Sequence, residues 1–188
     1  ELSWIMNDSR TRHEIRDACL AHMVARLKET SQILQPFPHF WTDGILPEDI
    51  YDRLLSEIPE DSLYTRGGEG SKHYGNRADM HLLSEVIEQF PETNRELWYG
   101  VRSALASPEL KRAIFSKLSA GLAHRFRIDE EEATEISAYP RAMLYQESGG
   151  YSIAPHPDTR RKLATVQFAL TSNSSQTDLG MSLYRLSA

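Results

Sequence analysis

Cysteine is nearly absent. Cys19 is the only one in 188 residues, so no intramolecular disulfide can form. Its neighbours Ile15, Ala18 and Met23 point to a packed thiol rather than a reactive one, and a reducing compartment, the cytoplasm, is expected. Long apolar runs are missing too. None approaches the roughly 20 residues that span a membrane, and no signal-peptide pattern opens the chain. Positive charge is outweighed: 21 Lys and Arg against 27 Asp and Glu leave a formal net charge of −6. Bulk attraction to nucleic acid or to an anionic membrane is disfavoured, and neither partner is expected. No Gly-x-Ser-x-Gly elbow is present, so a hydrolase using His156 with an acid partner is set aside. Gly67, Gly68 and Gly70 lack the spacing and the Gly-Lys-Ser/Thr end of a phosphate loop, because Lys72 follows Ser71. They read as a surface loop, a lid over a site.

What is present is an ordinary globular balance, 40% hydrophobic and 26% charged, in a length that suits a single domain, residues 1–188. Residues 1–128 read mainly as helix. Ile15, Cys19, Met23 and Leu27 recur every fourth residue on one helical face. Pro36 and Pro38 break that pattern, and Pro47 opens a second helix with Ile50, Leu54 and Ile58 in line. Helices resume from about Asp79. Leu97, Val101 and Leu105 share a face. Ser107 then caps a helix that starts at Pro108 and carries Leu110, Ile114, Leu118 and Leu122. After "IDEEEAT" the period changes, and residues 134–188 read as a β-rich core. "EISAYPRAMLYQ", "YSIAPH", "RKLATVQFALT" and "GMSLYR" are the predicted strands. Helices first and antiparallel strands after predict an α+β fold, with the helices on one face of a sheet or barrel.

One pair of residues carries chemistry. His156 and Asp158 stand two apart at the end of a predicted strand, behind the Gly149-Gly150 turn. On extended backbone such residues point the same way. An imidazole and a carboxylate aimed at one point make two-thirds of a facial triad, which leaves open positions on an octahedral Fe(II). The next predicted strand has an apolar face of Ala164, Val166, Phe168 and Leu170. Its other face, Thr165, Gln167 and Ala169, is small or polar and suits a wet cavity.

These residues resemble a known family. "RAMLYQESGGYSIAPHPDTRRKLATVQFAL" is similar to the core of the Fe(II)- and 2-oxoglutarate-dependent dioxygenases, in their prolyl-hydroxylase-like branch. "QPFPHFWTDGILPEDIYDRLLSEIP" resembles the segment that opens such domains. "DLGMSLYR" resembles a later strand, with Leu179 and Met181 at positions where the family carries Gly and Thr. The resemblance implies a double-stranded β-helix, a jelly-roll or cupin-like barrel, under the N-terminal helices, incomplete at the C-terminus. It implies Fe(II) on His156 and Asp158. Tyr145 either hydrogen-bonds 2-oxoglutarate or is a core residue, and Thr165 and Gln167 either line the cosubstrate pocket or pack within the sheet. Arg141, on the strand of Tyr145, either contacts substrate or pairs with a surface acid. Arg160, Arg161 and Lys162 either steer an acidic substrate or form a solvated turn. The implied reaction consumes 2-oxoglutarate and molecular oxygen and hydroxylates a small-molecule or peptidyl substrate. Two family features are not visible, a distal histidine ligand and a basic clamp beyond it, since His156 is the last histidine. Either the chain is incomplete or iron binding has been lost, and the loss would leave a degenerate barrel that serves binding or assembly. Whether the protein forms a homo-oligomer is left open.

Overall fold

The computed structural model describes residues 10–66, 76–149, 151–173 and 181–184. Helix α1 (Arg12–Glu29) starts at a capping box. The Glu14 backbone donates to the Thr11 hydroxyl, and the Thr11 backbone donates to the Glu14 carboxylate. The periodic residues Ile15, Cys19, Met23 and Leu27 are all buried. Burial pushes the Cys19 thiol up to about 12, so it stays neutral and inert at physiological pH.

A short antiparallel pair follows, β1 (Gln32–Ile33) on β2 (His39–Phe40). Helix α2 (Glu48–Ser56) begins directly after Pro47 and buries Ile50 and Leu54. It ends before Ile58, which is largely exposed and lies beyond the helix rather than on its face. The last carbonyls of a helix have no partner within it. Just past the end of α2, the Trp98 indole N–H donates to the Glu57 carbonyl at 3.0 Å.

Strands β3 (Thr65–Arg66), β4 (Arg77–His81) and β5 (Met143–Glu147) form an antiparallel sheet with β4 in the middle. The expectation of helix from about Asp79 is corrected here. Arg77, Ala78, Asp79, Met80 and His81 alternate polar and apolar, a period of two. Extended backbone therefore buries Ala78 and Met80 together and leaves the three polar side chains on the other face. Leu144, opposite Met80, joins the same core. Helix resumes only at α3 (Ser84–Ile87), followed by α4 (Glu92–Leu105), α5 (Pro108–Phe126) and α6 (Glu130–Glu135). The Ser107 hydroxyl accepts from the backbones of Glu109 and Leu110, and Pro108 opens α5. Asp129 closes a second capping box on α6.

The main core lies where α1 crosses α4. Ile15, Cys19 and Met23 meet Leu97, Val101 and Ala104, with Trp98 and Phe90 in edge contact beside them. A smaller cluster of Phe115, Leu122 and Ala133 joins α5 to α6. At the crossing Gly100 faces Ile15. The fold is α+β, with two small antiparallel sheets among the described residues and neither closed into a barrel. β3 and β4 precede the long helices and β5 follows them, so one sheet joins both parts of the chain. The strands expected at 151–156, 161–171 and 180–185 are not formed among the described residues. Strand structure needs a hydrogen-bonded neighbour, and side chains of the helices hold much of this stretch instead. Gly67, Gly68, Gly70, Lys72, His73, Gly150 and Leu179 lie outside the described residues. No described helix is long and apolar enough to cross a membrane.

A methyl group on Gly100 would lie 2.6 Å from Ile15 Cγ2 and 2.9 Å from the Arg12 carbonyl oxygen. Overpacking of this kind costs about 1–3 kcal/mol, against a helix-propensity gain of at most about 1 kcal/mol. Urea unfolding of Gly100→Ala is expected to show a lower midpoint with an unchanged slope. A midpoint at or above that of the parent would mean that α1 and α4 are free to separate.

Candidate functional site

The segment that carries His156 and Asp158 leaves the sheet at the end of β5. There the Ser148 backbone donates to the Asn76 carbonyl at 2.9 Å, and the Asn76 amide donates to the Gly149 carbonyl at 2.5 Å. The Tyr151 backbone closes the turn onto the Ser148 carbonyl at 3.1 Å. Arg77 fastens the same corner from β4. Its guanidinium lies over the Tyr145 ring at 3.9 Å and the Tyr151 ring at 4.9 Å, and it pairs with Glu147 at 2.7 Å.

Downstream, three contacts fix the segment to the helices. Arg125 at the end of α5 donates to the Lys162 carbonyl at 2.6 Å and to the Arg160 carbonyl. Leu163 and Ala164 pack on the Phe115 cluster, and Phe168 packs on the main core. The Tyr51 hydroxyl of α2 accepts from the Thr171 backbone N–H at 2.9 Å and donates to the Thr171 carbonyl at 2.8 Å. A single hydroxyl here satisfies both backbone groups of one residue, as a ladder partner would. Burial along 164–170 follows the expected alternation except at Val166, which is exposed. Thr165, Gln167 and Ala169 all face outward.

At the centre, His156 Nδ1 lies 2.9 Å from the Ala154 carbonyl oxygen. A carbonyl only accepts, so Nδ1 carries a proton and donates it to Ala154. Metal-binding imidazoles are oriented in this way, with the second nitrogen held by a backbone carbonyl. Asp158 Oδ1 accepts from the Lys162 ammonium at 2.7 Å, and Oδ2 accepts from the Thr165 hydroxyl at 2.6 Å. Partial burial works to raise the Asp158 pKa. The hydrogen bonds from Lys162 and Thr165 and the charges of Lys162 and His156 more than offset it, so the pKa is lowered and the carboxylate is ionised at neutral pH.

The structure thus joins Asp158 to Thr165 directly. Lys162, read from the sequence as steering an acidic substrate or lying in a solvated turn, is the ion-pair partner of Asp158. Tyr145 is not a core residue. It is half exposed on the polar face of the sheet, and its hydroxyl donates to Met143 Sδ at 3.3 Å. No described hydrogen bond brings Tyr145 or Gln167 to Asp158. Arg141 meets His81 rather than a surface acid. Among the described residues no group of three or more His, Cys, Asp or Glu side chains is placed to hold a metal ion. Sequence reasoning did not find Tyr51, Arg125 or Arg77. The alternation of residues 77–81 would have placed Arg77 on the face of Tyr145. Nothing local marks Tyr51 or Arg125, because their partners lie far along the chain.

No protein-family model matches the chain, and neither the curated proteins nor the solved structures contain a match to it.

Tyr51→Phe removes the hydroxyl and leaves the fold of α2 intact. The loss of these hydrogen bonds is expected to cost about 1–2 kcal/mol locally. Hydrogen exchange should show the Thr171 amide losing protection, with the amides of α1 and α4 unchanged. Unaltered exchange at Thr171 would mean that the hydroxyl does not hold the segment.

Proposed function

We propose that this chain belongs to a non-haem iron oxygenase that couples decarboxylation of 2-oxoglutarate to hydroxylation, or a related oxidation, of a small-molecule or peptidyl substrate. The observation that carries the reading is the arrangement of His156 and Asp158. Within three residues the chain offers an imidazole whose ring is oriented at Nδ1 by a backbone carbonyl and a carboxylate held in its ionised form. A nitrogen oriented from behind and an ionised carboxylate are what a metal ligand pair requires.

The donor set fits in kind. A nitrogen and a carboxylate suit Fe(II), and the Lys162 ammonium on Asp158 is the cation that the metal would displace. His156 and Asp158 would hold the metal, with a third ligand from outside the described residues. Iron and 2-oxoglutarate, when bound, supply the oxidising chemistry. The chain's own work is to hold and orient. The Ala154 carbonyl fixes the His156 ring, Thr165 fixes the Asp158 carboxylate, and Arg125 and Tyr51 hold the backbone that carries them. Tyr145 and Gln167 are the proposed cosubstrate contacts. In this reading the β3–β4–β5 sheet is one wall of a double-stranded β-helix, with its polar face turned inward.

A second reading has its own observation. Lys162 already neutralises Asp158, and such a pair suits a barrel that has given up iron and serves binding or assembly. The two readings part on turnover. With Fe(II) and oxygen, the full-length protein is expected to form succinate from 2-oxoglutarate. Asp158→Ala and His156→Ala should each lower that rate about 100-fold or more, beyond what loss of a group behind the ligands costs. Equal rates in parent and variants would remove the ligand assignment. No succinate from any of them would favour the binding module.

A further inference from the structure

The polar face of the three-stranded sheet holds a second cluster. Arg77, Asp79 and His81 on β4 share it with Met143, Tyr145 and Glu147 on β5. At one end Arg77 is balanced by Glu147. At the other end Arg141 and His81 form no ion pair among the described residues, and Asp79, the intervening residue on that face, forms none either. Arg141, just before β5, directs Nε at His81 Nδ1 over 3.3 Å, and its Nη2 lies 2.9 Å from His81 Nε2. Among the described residues neither Arg141 nor His81 has a carboxylate within ion-pair distance.

This geometry leaves donors over. A neutral imidazole has one lone pair, so only one of the two contacts is a hydrogen bond, and the other places a guanidinium against an N–H. Arginine carries five N–H donors in a planar fork, and two are directed at the ring. The remainder of the fork has no acceptor among the described residues and lies at an exposed spot beside the imidazole. Planar donor forks of this kind match the oxygens of a carboxylate or a phosphate. The spot lies on the sheet face of Tyr145. Met143 is the direct cross-strand partner of His81, and Tyr145 is the next residue on that face.

We propose that Arg141 and His81 form an oxyanion-binding site that takes a carboxylate or phosphate group of the substrate. The assignment of that anion to a substrate rests on the oxygenase reading, whereas the anion site itself does not. The substrate class is then an acidic small molecule or a peptide with an acidic or phosphorylated residue near the oxidised carbon.

The test uses the full-length protein with no iron and no 2-oxoglutarate, so its result stands apart from the metal question. Inorganic phosphate and acetate are titrated separately, and the Arg141 Nε–H and His81 ring resonances are followed by NMR. Saturable shifts are expected with at least one anion, and the tighter anion assigns the group. Arg141→Gln and His81→Asn should each weaken that binding tenfold or more. A flat response to both anions, or equal binding in the variants, would overturn the proposal. Anion binding in a protein that forms no succinate would keep this site and remove the oxygenase.

Discussion

The distance between α1 and α4 is set by a side chain that is not there. Gly100 lets Ile15 and the Arg12 carbonyl come within reach of its own Cα, and the rest of the molecule is arranged around that approach. The close crossing buries Ile15, Leu97 and Val101 together. It fixes Trp98, whose indole holds the Glu57 carbonyl just beyond α2. Seated this way, α2 presents Tyr51 to Thr171. The path from the core to the His156 segment therefore runs through two side chain to backbone hydrogen-bond contacts, one at Trp98 and one at Tyr51. Arg125 gives a second, independent hold from α5.

The candidate site is thus positioned by helices rather than by a ladder. Such an arrangement costs conformational entropy, and it is offset by burial of Phe168 and Leu163 and by hydrogen bonds that satisfy otherwise orphaned backbone groups. The electrostatics are local. Asp158 is ionised because Lys162 and Thr165 stabilise its charged form against partial burial. The sheet puts Ala78, Met80 and Leu144 on the core and Arg77, Asp79, His81 and Glu147 opposite, beside Met143 and Tyr145. On that face Arg77 pairs with Glu147, whereas Arg141 meets His81 and Asp79 stands between the two pairs.

Helices were the legible part of this sequence. Four-residue spacing and caps gave the buried face of α1 and the start of α5 at Ser107 and Pro108, because both signals are local. β4 was legible in principle, since residues 77–81 alternate, but the run is short and sits between a glycine-rich stretch of sequence and a helix. Ile58 was misplaced because periodicity does not say where a helix stops. His156 and Asp158 could be singled out by residue type and spacing. Their supports could not, because Tyr51 and Thr171 are joined only by the fold, and an ion pair such as Lys162 with Asp158 depends on a turn that spacing alone does not specify.

The central claim is that His156 and Asp158 together hold iron. The most direct measurement is an anaerobic titration of the full-length protein with Fe(II) and 2-oxoglutarate, followed in the visible range for the charge-transfer absorption of the chelate. A saturable band in the parent that is lost in His156→Ala is the predicted result. A featureless spectrum at saturating iron and cosubstrate, or a band that survives in the variant, would contradict it.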